Sequence, residues 1–182
     1  MEKTLRRTII KISKEAAFIL ITRVSAVILP QIFHGVGVLL GIGGKLGQIF
    51  LPMYIPVLLI GFYRGSASGA VTGLLAPLVS YAITGMPAET LLPYITLELV
   101  VTGALAGVFA KAKLPAFVRV LSVQVAAKII RLVAFAASLY LANGTVAASA
   151  LFSGILISIP GVVLQLGLVT YLTVKKEKKL GE

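Results

Sequence analysis

The stretch Phe50–Gly65, FLPMYIPVLLIGFYRG, decides how this chain reads. It is almost wholly apolar, carries Pro52 and Pro56 four residues apart, and closes on Arg64 and Gly65. A proline inside a helix removes one backbone hydrogen bond and pushes against the carbonyl four residues earlier. Two of them a turn apart predict a bent or partly unwound apolar segment. In lipid, such a defect persists only where protein or a cavity satisfies the freed carbonyls. The stretch is therefore expected to form one wall of a binding site.

Outward from it the chain stays apolar. Of 182 residues, 58% are hydrophobic and 13% charged, and mean hydropathy is +1.03. Soluble domains are typically ~45–50% apolar and ~25% charged, so this composition gives too little polar surface for a water-soluble fold. An all-α integral membrane protein is expected, a single domain over 1–182. The net charge of +11 could suggest nucleic acid, but most basic residues lie between or outside the apolar runs, as cytoplasmic loops require. No nucleic-acid partner is inferred. Cysteine is absent, which excludes disulfides, thiolate metal sites and a Cys nucleophile.

Six transmembrane helices fit the pattern, at about 14–32, 51–64, 66–84, 92–111, 116–142 and 149–174, packed as a compact bundle. The first apolar run exceeds the ~7–15 residues of a signal-peptide core and is read as a retained span. With both termini cytoplasmic, thirteen of the 17 basic residues fall inside and only Lys45 outside, the other three lying within spans; the positive-inside rule sets that orientation. The segment 34–48, HGVGVLLGIGGKLGQ, is the longest predicted loop, with six glycines between Gly35 and Gly47. It fails the nucleotide-loop pattern, since Leu39 stands where the first glycine belongs and Leu46 follows Lys45. A mobile external lid and a plain glycine-rich connection both suit its composition. Gly65, Gly69 and Gly73 in span three and Gly103 and Gly107 in span four recur every four residues, which lets helix backbones approach closely in lipid.

Few polar residues enter the apolar spans. Glu98 sits about six residues into span four, roughly 10 Å deep, with Thr102 on its face. In span five Gln124, Lys128, Arg131 and Ser138 form one stripe, and in span six Ser158, Gly161 and Gln165 share a face. Charges at this depth cost at least ~2.5–3.5 kcal/mol, so they must face inward and find partners. A structural Glu98–Arg131 ion pair is one reading. The other gives Lys128 no protein partner and calls for an anion or a water-filled cavity, hence a pocket for a small anionic solute. His34 reads as a pocket-rim hydrogen bonder and not a metal ligand, having no second His beside it. Met53 and Tyr54 line a ligand site or simply pack. Arg23 snorkels or pairs within the bundle. No catalytic constellation is found: no Cys, no His pair, no GxSxG, no paired carboxylates.

The segments LPQIFHG (29–35), FLPMYIPVLLIGF (50–62), GAVTGLLAPLVSYAITGMP (69–87), the Glu of TLELVVTG (96–103), Arg131 and IPGVVLQLGLV (159–169) occur in an order that resembles the substrate-binding S components of energy-coupling factor vitamin transporters. The resemblance implies a six-helix, multi-pass plasma-membrane protein, not an enzyme and without a cofactor, that captures a vitamin from outside. It implies a transmembrane coupling subunit and two cytoplasmic ATPases as partners, and pantothenate, folate, cobalamin or riboflavin as ligand. The expected binding residues are Glu98, Lys128, Arg131, Gln165, Tyr54, Met53 and His34. Relatives often carry His where this chain has Tyr54. The small-residue docking motif of helix one has its nearest matches in Ser13–Ala17 and Thr22–Ala26. A small membrane enzyme acting on a lipid or lipid-linked group is the alternative, and it would need an acid–base or metal cluster that the sequence does not supply. A purely structural subunit is a third reading, against which the charged stripe of span five stands.

Overall fold

A computed structural model describes residues 2–43, 45–141 and 156–181, and every regular element among them is helical. In chain order these are α1 (Glu2–Leu39), α2 (Lys45–Phe50), α3 (Tyr54–Arg64), α4 (Ser66–Thr84), α5 (Leu92–Phe109), α6 (Ala116–Leu141) and α7 (Ile159–Gly181). Five segments are long and apolar enough to cross a membrane: Glu15–Leu39, Lys45–Arg64, Ser66–Thr84, Leu92–Phe109 and Ala116–Ser138. Large apolar side chains such as Leu20, Ile28, Leu75, Val133 and Val163 point away from the bundle, as a lipid-facing surface requires. The described residues are all-helical in their regular structure, and the five long apolar segments mark a membrane-embedded protein. The first part of the expected sixth span, 149–155, lies outside the described residues; its remainder is α7, which continues past 174 to Gly181.

The expected spans three, four and five coincide closely with α4, α5 and α6. The first two do not. α1 runs to Leu39, through Pro30 and well past residue 32, and α2 begins at Lys45. The expected long loop is thus a short turn near residues 40–43, and the described residues form no long glycine-rich lid there. The stretch 35–39 stays helical despite Gly35 and Gly37, since packing and environment override a propensity deficit of ~1 kcal/mol per glycine. Gly37 has a separate reason to be glycine: its amide carbonyl accepts from Ile42 N–H at 2.9 Å, and any Cβ there would overlap the Gly43 carbonyl.

The centre of the bundle is α3, α4 and α5. Gly65, at φ +89°, is the only residue between α3 and α4, and that left-handed backbone is one that glycine adopts without a Cβ penalty. α4 and α5 then lie backbone to backbone, because a Cβ on Gly69 would overlap the Gly103 carbonyl, one on Gly73 that of Leu99, and one on Gly107 the backbone of Ser66. The four-residue glycine spacing is a packing device, as expected. Leu58, Phe62, Ala106, Val120, Val123 and Val169 fill the core where α3, α5, α6 and α7 meet.

One end of the bundle is ionic. Arg64 pairs with Glu15 at 3.2 Å and stacks over Phe18, Arg119 pairs with Glu177, and Tyr63 donates to the Leu172 carbonyl at 2.8 Å. The Lys176 ammonium lies 4.1 Å from the Tyr63 ring centre; burial, and then Arg64, hold its pKa below the usual lysine value. Further along α1, Thr22 and Ala26 turn inward and are buried. They are covered by this chain's own helices, so Thr22–Ala26 is not an exposed docking motif; this corrects the expectation.

Candidate functional site

The other end of the bundle is where the FLPMY segment opens. α2 stops at Phe50 and α3 starts at Tyr54, with Leu51 at φ +45°, a left-handed conformation that costs a non-glycine residue ~1–3 kcal/mol. Pro52 sits within this break. Pro56 lies in the first turn of α3, where its missing N–H has no intrahelical partner to lose, so it does not bend the helix as expected. The carbonyls of Phe50 and Leu51 are satisfied by the Gln165 side chain, whose Nε2 donates to both at 3.3 Å. Gly161, one turn earlier on α7, lets that helix approach the Ile49 and Phe50 carbonyls, which a Cβ would overlap. The defect that the two prolines predicted is thus real, and protein satisfies it.

Beside the break is a cavity of about 400 Å³, within the ~300–1,000 Å³ usual for small-molecule sites. α1 contributes Pro30, Gln31 and His34, and the break contributes Leu51, Pro52, Met53 and Tyr54. Ser80 of α4, Met86–Ala88 of the α4–α5 connection, Leu91 and Ile95 add a further wall, with Arg131 from α6 and Ser158 from just before α7. Gln31 donates to Ser80 at 2.9 Å, tying α1 to α4 across the site. The lining is mainly apolar with a few convergent polar groups.

Arg131 belongs to a buried cluster. The Glu98 carboxylate, 1% exposed, accepts from Lys128 Nζ on one oxygen and Arg131 Nη1 on the other, each at 2.8 Å. Lys128 therefore has a protein partner, which corrects the expectation that one cation is left over. The cluster still carries two cations against one carboxylate, a formal charge of +1. Thr102 Oγ1 donates back to the Glu98 carbonyl at 2.7 Å, and Lys128 Nζ lies 5.5 Å from the Tyr54 ring centre. The Tyr54 hydroxyl, close to Glu98 and Arg131, makes no hydrogen bond of good geometry to either. Arg131 Nε is also buried without a partner among the described residues.

Four of the seven expected site residues, His34, Met53, Tyr54 and Arg131, line the cavity. Glu98 and Lys128 stand one layer behind, holding Arg131. Gln165 holds the helix break from outside the cavity and is not part of its wall. Sequence reasoning missed Gln31, Ser80 and Met86; only Gln31 left a signal, since its three-residue spacing from His34 puts both on one face of α1. Ser138, expected on the span-five stripe, accepts from the Tyr94 hydroxyl at 2.6 Å. Among the described residues no group of His, Cys, Asp or Glu could hold a metal.

No family model matches the chain, and no match to it was found among curated proteins or solved structures.

Proposed function

We propose that this chain is the substrate-binding membrane subunit of an energy-coupling factor importer, taking a small water-soluble vitamin from the outer side of the cell membrane. The observation that carries the proposal is the cavity walled by the FLPMY break and floored by Arg131, with two buried donors, Tyr54 Oη and Arg131 Nε, left unpaired beside it. An unpaired buried donor costs ~1–3 kcal/mol, which a ligand acceptor recovers on binding. The surplus positive charge of the Glu98–Lys128–Arg131 cluster favours an anion. A cavity of about 400 Å³ suits pantothenate, a small carboxylate, better than cobalamin, whose corrin macrocycle is far larger.

In this proposal the ionic end, with Arg64, Arg119 and Lys176, faces the cytoplasm, and the cavity opens outward. A coupling subunit and two ATPases supply the energy, since the chain has no phosphate loop. Native mass spectrometry of the protein purified from vitamin-rich medium, followed by titration calorimetry with pantothenate, folate and riboflavin, tests it. A one-to-one vitamin adduct is expected, and vesicles holding only this chain bind the vitamin without accumulating it. A protein that carries no adduct and gives no heat with any of the three, or that alone concentrates a vitamin with ATP, refutes it.

A further inference from the structure

A second cavity, of about 320 Å³, lies on the flank of the bundle between α1 and α4, apart from the vitamin site. Its lining is apolar but for Arg23 and Thr72, and Val24, Ile28, Leu75 and Val79 are all partly exposed along it. Arg23 belongs to an apolar span, yet no carboxylate among the described residues pairs with it. Its Nε donates to Thr72 Oγ1 at 3.4 Å, a long bond, while the Thr72 hydroxyl proton goes to the Ser68 carbonyl at 2.8 Å. The Arg23 side chain lines the groove. A cation at this depth is costly unless an anion or water meets it.

The groove is polar at one end only. Arg23 and Thr72 lie toward the ionic end of the bundle, where Glu15 and Arg64 meet. The apolar walls run away from that end through Ile28 and Val79, five and seven residues further along their helices. Side chains on a helix lean toward its amino terminus, so the Arg23 head is drawn toward the ionic end as well. A polar end nearer the ionic side and an apolar run leading away from it is the order of head group and chain in a lipid of that leaflet.

We infer that this groove is a binding site for an anionic phospholipid, with its phosphate on Arg23 and an acyl chain along Val24, Ile28, Leu75 and Val79. The lipid supplies the counter-charge that the described residues do not. Lys175, Lys176, Lys178 and Lys179 close α7 at this end, and their positive charge raises the local concentration of anionic lipid.

The full chain in detergent is titrated with phosphatidylglycerol or phosphatidylcholine bearing the same acyl chains, bound lipid being counted by native mass spectrometry. Wild type is expected to bind phosphatidylglycerol about tenfold or more tightly than phosphatidylcholine, the contribution of one charge-assisted contact. Arg23→Gln is expected to bring the two within about twofold of each other while keeping its helical circular dichroism. Leu75→Trp, which fills the apolar half of the groove, is expected to weaken both lipids with the guanidinium intact. Equal binding of the two lipids by wild type, or an undiminished preference in Arg23→Gln, overturns the inference. Unchanged binding in Leu75→Trp overturns the acyl-chain assignment, and stabilisation by inorganic phosphate alone overturns the choice of a lipid.

Discussion

The Glu98 carboxylate holds two cations at once, so Glu98→Gln is the substitution that tests the cluster most severely. Both ion pairs are 2.8 Å long and the carboxylate is 1% exposed, against 21% for the Lys128 side chain and 11% for that of Arg131. Removing the carboxylate raises the formal charge of the cluster from +1 to +2 without changing its size. Breaking one buried pair costs ~3–5 kcal/mol. Lys128, being the more exposed, relaxes toward water, so the total stays near ~3–5 kcal/mol and is not doubled. At ~2–4 °C per kcal/mol for a chain of this length, the melting temperature should fall by about 6–20 °C. Lys128→Met leaves a balanced Glu98–Arg131 pair and should cost ~1 kcal/mol or less. Arg131→Met falls between, because it removes the more buried partner. The double variant Glu98→Gln/Lys128→Met should recover at least half of the loss, since one stranded cation is gone. The chain has no tryptophan, so melts are followed by circular dichroism at 222 nm. A Glu98→Gln protein melting within about 3 °C of wild type, or a double variant no better than the single, would refute the idea that this carboxylate holds both cations in a water-poor site.

Three further outcomes are expected. Gly69→Ala should destabilise by ~1–3 kcal/mol through overpacking against the Gly103 carbonyl, whereas Gly35→Ala, with open space around it, should be neutral or gain up to ~1 kcal/mol; equal melts for the two would contradict the α4–α5 backbone contact. Gln165→Leu strands the Phe50 carbonyl and leaves that of Leu51 with the Tyr54 N–H alone, and should cost ~1–3 kcal/mol, seen as faster amide exchange at Tyr54 and Ile55; unchanged exchange there would show that Gln165 does not hold the break. Because the chain has no native cysteine, single-cysteine labelling from outside should modify position 88 and spare position 178, and the reverse pattern would invert the proposed orientation.

How far the sequence alone reached depended on whether a signal was local. Apolar run length placed α4, α5 and α6 almost to the residue, because a helix in lipid must satisfy its own backbone and so announces itself by composition. The prolines of 50–62 gave the break, and the spaced glycines gave the α4–α5 contact, since each acts on its own backbone. The turn near residues 40–43 was misjudged because glycine content argues for a loop, while the helical state of Gly35 and Gly37 depends on their apolar neighbours and on the approach of Gly43. Thr22 and Ala26 likewise looked like an outward motif, and which face of α1 turns inward is set by α3 and α4.

The partnership of charges was beyond the sequence altogether. Spacing showed that Lys128 and Arg131 share a face of α6, but only the placement of α5 against it let Glu98 reach both, one oxygen to each. The same holds for Gln165, whose polarity and depth were legible, while its target, two carbonyls more than a hundred residues earlier, was not. Helices and their defects follow from the chain's own chemistry within a few turns. The cavity, its floor of Arg131 and Tyr54, and the lone guanidinium of Arg23 exist only because distant helices meet at particular angles, which no local pattern encodes.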